Sequence, residues 1–385
     1  MNLPNPYEHK HYTYLMAIPL VLMAIALFLV FVTPGIPKGI DLKGGTLVSI
    51  QASDANFDSA KLQTSLLKYS KNVEIRKVST PSGTGVEIEL ESSAELEAAE
   101  GKIEQILSLD RQLSEIEVTL GSALANNQSA TQLQAHTTDL KTRLAAQLNS
   151  LYKSIGSKTI ADATGDLHAQ ASISQQEFAD ARQIERNAIL TEIKSQVKVD
   201  SYSFKQIGSS LSKFFLDKTR EVVFYSFLFS AIAVFIVFRS IAPSFAVIFG
   251  AVADVTITAG VMAVLGIPLT LASVATLLML IGFSLDTDVM LTMRVIRRKE
   301  GSMEERAYES MKTGFLMNST TIGAFGALVA IAYWLQIPTY FQIGSVALIG
   351  GFADFFATWC FNAPLILWYE KRRHAKQAAA QHHGN

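Results

Sequence analysis

The chain has 385 residues, 49% of them hydrophobic, and a formal net charge of −1. Its mean hydropathy of +0.25 is too high for an ordinary soluble domain, and its near-zero charge excludes the basic surface of a nucleic-acid-binding protein. The single cysteine, Cys360, excludes an internal disulfide and a cysteine metal site, and no G-x-x-x-x-G-K-[ST] phosphate loop is present. We therefore expect no metal or cofactor.

The first apolar stretch follows a short polar segment, residues 1–13. Tyr14–Thr33 supplies about twenty mainly apolar residues, enough to cross a bilayer. A signal peptide is the alternative interpretation, but Pro34-Gly35-Ile36-Pro37 follows the stretch instead of a small-x-small cleavage site. We therefore predict a retained transmembrane helix over residues 14–33.

Residues 34–220 are polar and contain the pattern of a small α+β domain. Gly44 and Gly45 predict a sharp change of backbone direction before a strand that ends near Gln51. A helix and three more strands are predicted at Asp58–Tyr69, Val73–Ser79, Val86–Glu91 and Val197–Phe204. The order strand–helix–strand–strand, closed by a last strand, is typical of an α+β unit.

A helical insertion is predicted within this domain, over about residues 93–193. The segment has no proline, and its leucines recur at spacings of three, four and seven, which predicts a helical hairpin or short coiled coil with a turn in 121–130. It is either a solvated insertion without a site of its own or an arm that binds a partner. The turn contains a glycosylation sequon, Asn127-Gln128-Ser129.

Five further apolar stretches bring the predicted transmembrane helices to six, with residues 221–368 forming the bundle. They are Glu221–Phe238, Pro243–Leu265, Leu269–Met293, Gly314–Leu335 and Phe341–Trp368. The basic segment 294–313 and the basic tail 369–385 fall on the same side as Lys10 and Arg239. The positive-inside rule makes that side cytoplasmic. We therefore expect a multi-pass protein of the cytoplasmic membrane, with both termini in the cytoplasm and residues 34–220 outside.

Acidic residues within the predicted spans are the main functional candidates. They are Asp254, Asp286, Asp288 and Asp354, with Asn318 as a polar neighbour in the fifth span. An aspartate at the centre of a membrane helix costs roughly 2.5–3.5 kcal/mol, so such residues normally face a polar seam inside the bundle. Glycines and alanines around them would allow helix backbones to approach closely.

Asp286 and Asp288 cannot both face one groove of a regular helix, because they project about 200° apart. Asp288 shares a polar face with Ser284 and Thr292, whereas Asp286 shares its face with Gly282. The pattern does not choose between the two aspartates.

Several roles are open to these acids. They can couple proton flow to movement, bind another ion, or act as hydrogen-bonded packing contacts. An intramembrane aspartyl protease is disfavoured, because Phe283-Ser284-Leu285-Asp286 does not match G-x-G-D. We expect no enzyme activity.

Four motifs resemble those of the SecF family of protein-export membrane proteins, and the third of them is similar to the archaeal form of that family. They are G-I-D-L-K-G-G-T at 39–46, which includes Asp41, V-A-D-V-T-I-T-A-G at 252–260, I-G-F-S-L-D-T-D-V-M-L-T-M-R at 281–294 and K-T-G-F-L-M-N-S-T-T at 312–321. The resemblance covers residues 14–90 and 195–370 and leaves out the insertion. Six spans with one large external domain after the first is also this family's layout, which is half of an RND transporter.

The resemblance implies an accessory subunit of the Sec translocase, in which a ferredoxin-like external domain engages unfolded exported polypeptides and proton flow drives their movement. SecD and the Sec translocon channel are the implied partners, within membrane lipid and without nucleic acid. On this resemblance Asp254 and the Asp286/Asp288 pair take the place of the family's membrane carboxylates. Two departures stand out: the bacterial fourth-span acid aligns nearer Thr287, and Lys312 and Thr313 replace an arginine near the start of the fifth span.

Two alternatives to this motor come from other functional classes. One is a passive membrane scaffold that stabilises the translocon without ion flow. The other is half of an RND exporter of small molecules, which would need a larger or aromatic-lined external pocket than this small, polar domain supplies.

Overall fold

The computed structural model describes residues 5–33, 35–52, 57–80, 83–126, 130–298, 300–335 and 337–382. The chain forms two compact units. We call Met1–Leu42 with Phe215–Asn385 the membrane unit, and Lys43–Phe214 the polar unit. The elements in chain order are α1 (Ala17–Phe31), α2 (Ile40–Lys43), β1 (Gly45–Ala52), α3 (Ser59–Leu66), β2 (Val73–Thr80), β3 (Gly83–Leu90), α4 (Ala94–Ala125), α5 (Thr131–Ser154), α6 (Leu167–Gln196), β4 (Val199–Ile207), α7 (Ser209–Phe238), α8 (Ile241–Leu265), α9 (Leu271–Arg297), α10 (Met303–Leu335), α11 (Pro338–Phe356) and α12 (Ala363–His382).

Six helical stretches of the described chain are long and apolar enough to cross a membrane. They are Tyr12–Phe31, Ser209–Phe238, Ile241–Leu265, Leu271–Arg297, Met303–Leu335 and Pro338–Gln377. Together with a small antiparallel sheet in the polar unit, they confirm the predicted fold class.

The basic segment 294–313 is mostly helical, which corrects its interpretation as a connection. α10 begins at Met303, eleven residues before the predicted start of the fifth span at Gly314. The Ser302 hydroxyl accepts a hydrogen bond from Glu305 N at 3.1 Å and so caps the helix. Good helix formers in the next two turns, together with acidic residues in the first, extend the helix beyond its apolar part.

The last span consists of three consecutive helical segments: α11, a π-helical segment and α12. The π segment, Ala357–Asn362, lies just before Pro364. Proline has no N–H to donate to the carbonyl four residues earlier, so the α-helical ladder is interrupted there. The Tyr7 hydroxyl donates to Trp359 O at 2.9 Å and satisfies a carbonyl within this segment. The N-terminal segment, predicted as merely polar, therefore contributes two buried tyrosines, Tyr7 and Tyr12, to the bundle.

The polar unit contains a four-stranded antiparallel sheet in the order β2-β3-β1-β4. Val48 of β1 pairs with Ile88 on one side and Phe204 on the other. The helix α3 and the C-terminal part of α6 pack on the sheet through Leu62 and Ile193. This is the ferredoxin-like arrangement β1-α3-β2-β3-α6-β4, with α4, α5 and the start of α6 inserted after β3.

The insertion has three helices rather than the predicted hairpin. Its core is formed by α4, α5 and the start of α6, where Leu113, Leu148 and Phe178 are buried together. The predicted end of the insertion near Ile193 is wrong, because Ile189 and Ile193 belong to the core of the sheet. The sequon at 127–129 lies outside the described residues.

Gly44 and Gly45 separate α2 from β1. Their φ angles are 76° and 130°, a region that favours glycine. A Cβ at Gly45 would collide with Leu90 O, so the backbone of β1 approaches the end of β3 closely.

Candidate functional site

Three of the predicted aspartates come together in the interior of the membrane unit. Asp254 lies on α8, Asp288 on α9 and Asp354 on α11, with exposed fractions of 1%, 0% and 5%. Each of these helices carries small or apolar residues on both sides of its aspartate, so the sequence itself places a polar group inside an apolar layer. We call these three residues the aspartate cluster.

Thr358 connects two members of the cluster. Its hydroxyl oxygen lies 2.8 Å from Asp288 Oδ1 and 3.1 Å from Asp354 Oδ1. A hydroxyl has one proton and can donate to only one of these oxygens at a time. Both hydrogen bonds form together only when one carboxyl group carries a proton and donates it to Thr358 Oγ1. The geometry therefore suits a proton shared between Asp288 and Asp354.

Asn318 fixes the other oxygen of Asp354. Its side-chain Nδ2 on α10 donates to Asp354 Oδ2 at 2.7 Å, and the contact is buried. An amide N–H can only donate, so this oxygen of Asp354 acts as an acceptor. Asn318 thereby directs the remaining oxygen of Asp354 toward Thr358.

Asp254 faces the same region without a direct hydrogen bond. Among the described residues, neither of its carboxyl oxygens has a partner. A small cavity of about 10 Å³ is lined by Asp254, Ser284, Asn318 and Asp354, together with apolar neighbours. That volume is close to the minimum that holds one water molecule. Asp254 and Asp354 therefore lie on one common cavity.

Gly250 makes the close approach of α8 to the cluster possible. A Cβ at this position would lie 2.5 Å from Asp288 Oδ2 and closer still to Asn362 Nδ2. Gly350 has a similar role on α11, where a Cβ would overlap the Leu280 side chain. The glycines predicted to allow close helix packing therefore lie beside the buried acids.

No lysine or arginine in the described part of the chain forms an ion pair with the cluster. Arg294, the nearest basic residue along α9, instead donates to Thr313 Oγ1 at 2.8 Å. Three buried carboxyl groups without a cation cannot all be charged at reasonable cost, because burying an unpaired charge costs several kcal/mol. A proton or a bound cation must therefore neutralise part of their charge.

Asp286 lies apart from the cluster. Its side chain is exposed, whereas Asp288, Ser284 and Thr292 are buried on the opposite face of α9. The projection of about 200° therefore separates the two aspartates into different surroundings.

Two residues of the site were not found from the sequence. Thr358 and Asn362 follow Asp354 at intervals of four, so all three lie on one face of the last span. Both polar side-chain atoms of Asn362 are buried without a partner among the described residues. A polar residue every fourth position after Asp354 was the signal that could have identified this face.

The G-I-D-L-K-G-G stretch contacts the start of α9. Asp41 is buried, and its Oδ2 accepts a hydrogen bond from Leu271 N at 3.3 Å. Thr270 and Ser273 complete a capping box at the same helix end. Gly39 N also donates to Leu269 O at 2.9 Å. The segment before the sheet is thus fastened to the helix that carries Asp288.

Two family models match parts of this chain. The family described as "Protein export membrane protein SecD/SecF, C-terminal" matches residues 186–372, and the "SecD/SecF GG Motif" matches residues 29–55. The protein-export membrane protein SecF of Methanocaldococcus jannaschii is 36% identical over 226 residues, which cover 55% of this chain and 80% of that protein.

SecF of Methanothermobacter thermautotrophicus is 41% identical over 169 residues, which cover 43% of this chain and 59% of that protein. SecF of Pyrococcus furiosus is 39% identical, with 44% and 57% covered. The chain thus spans less than two thirds of these two relatives.

A crystal structure of SecDF, a translocon-associated membrane protein from Thermus thermophilus, has the same fold. The TM-score is 0.52 at 15% identity, over 94% of this chain and 59% of that one. The family match, the long alignment with the Methanocaldococcus relative and the six-helix architecture lead to one conclusion: the chain is a multi-pass membrane protein that belongs to the SecF family of protein-export membrane proteins.

Proposed function

We propose that this protein is a SecF-type subunit of the Sec protein translocase that acts with a SecD-type partner and uses the proton gradient through its aspartate cluster to promote late steps of export. The observation that carries the proposal is the Thr358 hydroxyl between Asp288 and Asp354. One of its two hydrogen bonds requires a protonated carboxyl group, so gain or loss of that proton changes the contacts between α9 and the last span.

Proton movement would then alter helix packing in a simple way. With one proton present, Asp288, Thr358 and Asp354 form a continuous hydrogen-bonded chain. Without it, two negative carboxylates compete for one hydroxyl proton in a low-dielectric interior, where like charges repel strongly. The two helices are therefore pushed apart when the proton leaves and drawn together when it returns.

The energy available from the gradient is of a useful size. One elementary charge that crosses 100 mV is worth about 2.3 kcal/mol. That is comparable to the few kcal/mol that separate alternative packings of helices. Residues 34–220, on the outer side by the positive-inside rule, would transfer the resulting motion to an emerging polypeptide.

The test is the export rate in membrane vesicles with and without an imposed proton gradient. We expect Asp288→Asn and Asp354→Asn to lose most of the gradient-dependent rate, because neither variant can exchange the shared proton. Asp254→Asn should reduce it as well. Asp286→Asn is the matched control: it removes an acid from the same helix, outside the cluster, and should keep the response.

Protein level and association with the SecD-type partner must be equal in all variants. If the cluster variants assemble and still export with the wild-type gradient response, the motor proposal is wrong. The aspartates would then be packing contacts, and the passive scaffold would account for the family's role in export.

A further inference from the structure

A second cavity of the membrane unit lies at the α7–α8 turn. Its volume is about 340 Å³. Its lining residues are Phe238, Arg239, Ser240, Pro243, Met293, Ile296, Arg297, Tyr369, Glu370 and Arg373. These residues come from the end of α7, the start of α8, the end of α9 and α12. Four helix segments therefore surround the cavity at this end of the bundle.

The cavity carries a net positive charge from three guanidinium groups. Among the described lining residues, Glu370 is the single acid, and its Oε1 already accepts a hydrogen bond from Arg373 at 3.2 Å. Arg297 donates to Val237 O at 3.1 Å. Neither Arg239 nor Arg297 pairs with a carboxylate in the described chain. Two guanidinium groups thus remain available to an anion.

Arg239 occupies a backbone position that favours glycine. Its φ is 49°, and it is the one described non-glycine residue with a positive φ. Its N–H donates to Phe235 O at 2.9 Å and ends α7. An arginine in this conformation costs free energy that a glycine would not, and such strained positions cluster at functional sites. Arg239 therefore places its cationic side chain at the cavity at a cost in conformational free energy.

The next residue opens α8 toward the same space. Ser240 is the N-cap of α8 but makes no side-chain capping bond among the described residues. The first N–H groups of this 25-residue helix therefore add partial positive charge at the cavity. The hydroxyl groups of Ser240 and Tyr369 lie 3.5 Å apart, so when one donates to the other, the second can still donate to a ligand beside the guanidinium groups.

The remaining wall is apolar. Phe238, Pro243, Met293 and Ile296 line it. A free phosphate ion would use only the cationic part of such a cavity, whereas a phospholipid has both an anionic headgroup and an apolar body. Basic pockets between transmembrane helices at the membrane surface are known to suit anionic headgroups.

We propose that this cavity binds the phosphate headgroup of an anionic phospholipid, with Arg239 and Arg297 as the phosphate contacts and the apolar wall against the glycerol and the upper acyl chain. The proposal does not depend on proton coupling, because the cavity is lined by none of the three clustered aspartates.

The test is native mass spectrometry of the full chain in detergent, titrated with phosphatidylglycerol or with phosphatidylcholine of the same acyl chains. We expect one phosphatidylglycerol to bind more tightly than phosphatidylcholine. Arg239→Gln/Arg297→Gln should weaken it roughly thirtyfold, at the typical contribution of a basic residue near a membrane surface. Arg298→Gln/Lys376→Gln removes two exposed charges outside the cavity and should change affinity less than threefold.

A single variant separates binding from folding. Arg239→Gly suits the positive φ, so its thermal stability should equal or exceed that of the wild type while its phosphatidylglycerol affinity falls. Equal losses in the cavity and control double variants would show that general positive charge attracts the lipid, and would overturn the proposal. Displacement of the lipid by inorganic phosphate at equal concentration would also overturn it, since the ligand would then be a soluble phosphate.

Discussion

In the polar unit, the buried carboxylate of Glu89 lies 3.6 Å from Arg76 and 3.8 Å from Lys43. In the membrane unit, Asp254, Asp288 and Asp354 are equally buried, yet no described lysine or arginine reaches them. Even with two cations nearby, burial raises the pKa of Glu89. The two regions differ in what can neutralise a buried acid. In the polar unit covalently fixed cations give a permanent contact, whereas in the proposed function an exchangeable proton takes their place in the membrane unit.

Gly250→Ala should have the largest effect, at the aspartate cluster. The new Cβ would collide with Asn362 and Asp288, and overpacking of this kind costs up to about 3 kcal/mol. Thermal unfolding in detergent should show the loss. At Gly282, on the exposed face of α9, no described atom lies within 4 Å of a new Cβ, so Gly282→Ala is the control. Equal stability of the two variants would mean that the helices are not closely packed at the cluster.

Thr358→Val should have the next largest effect and lower the free energy of unfolding by about 2 kcal/mol. Two buried carboxyl groups lose a shared hydrogen-bond partner in this variant, while the shape of the side chain is kept. The gradient response of export should fall with it. Thr358→Ser keeps the hydroxyl and should keep both properties. A valine variant that exports with a normal gradient response would remove Thr358 from the proton path.

Asp41→Ala examines a buried acid that accepts a hydrogen bond from the N-terminus of a helix. Loss of the contact with Leu271 N should cost about 1 kcal/mol. Asp41→Asn retains a capping oxygen and should lose less. Chemical unfolding monitored in the same detergent distinguishes them, and identical losses in the two variants would argue against capping.

His168 should give the smallest effect, in the polar unit. Hydrogen bonds with Glu117 and then with Asp110 raise the pKa of His168 above 6.5, while Lys141 holds Glu117 from the other side. Because the folded-state pKa is the higher one, the stabilisation is complete below pH 6.5 and is lost as the pH rises through the folded value. We expect the contribution to the free energy of unfolding to be less than about 1 kcal/mol, since solvent screens the contacts of His168 with the two acids.

Hydrogen exchange at the start of α6, corrected for the intrinsic rate, measures this effect at pH 6 and pH 8.5. Protection should be greater at the lower pH, and His168→Gln should abolish the difference. Arg143→Gln, which breaks an exposed pair with Asp139, should leave it intact. A pH dependence that survives in the His168 variant would assign it to other groups.

The bundle was predictable because its apolar runs are long and interrupted only by short turns. The aspartates were visible for the same reason, since an acid within an apolar run is conspicuous. The choice between Asp286 and Asp288 was not predictable, because a polar face and a face with a glycine can each pack against a neighbouring helix. Only the packing of α9 against α8 and α11 buries Asp288 and leaves Asp286 exposed. Thr358 was not predicted as a site residue, because threonine is common in membrane helices.

In the polar unit, the boundary of the insertion could not be predicted from the sequence. Its strands followed from alternation, but the end of the insertion falls inside a single helix. Nothing in the sequence marks the point where α6 leaves one core, around Phe178, and enters the other, around Ile189. Burial of Tyr7 and Tyr12 was equally hidden, because their polar neighbours resemble a solvated tail.

The continuity of α6 has a mechanical consequence. Its first part belongs to the core of the insertion and its last part to the core of the sheet, so a stiff rod joins them without a hinge. From Leu167 to Ile189 this rod is about 33 Å long. A tilt of only about 10° at the sheet would carry its far end about 6 Å, from the same geometry. A small rotation of the sheet would thus displace the far end of the insertion by more than the rise of one residue in an extended strand, about 3.3 Å.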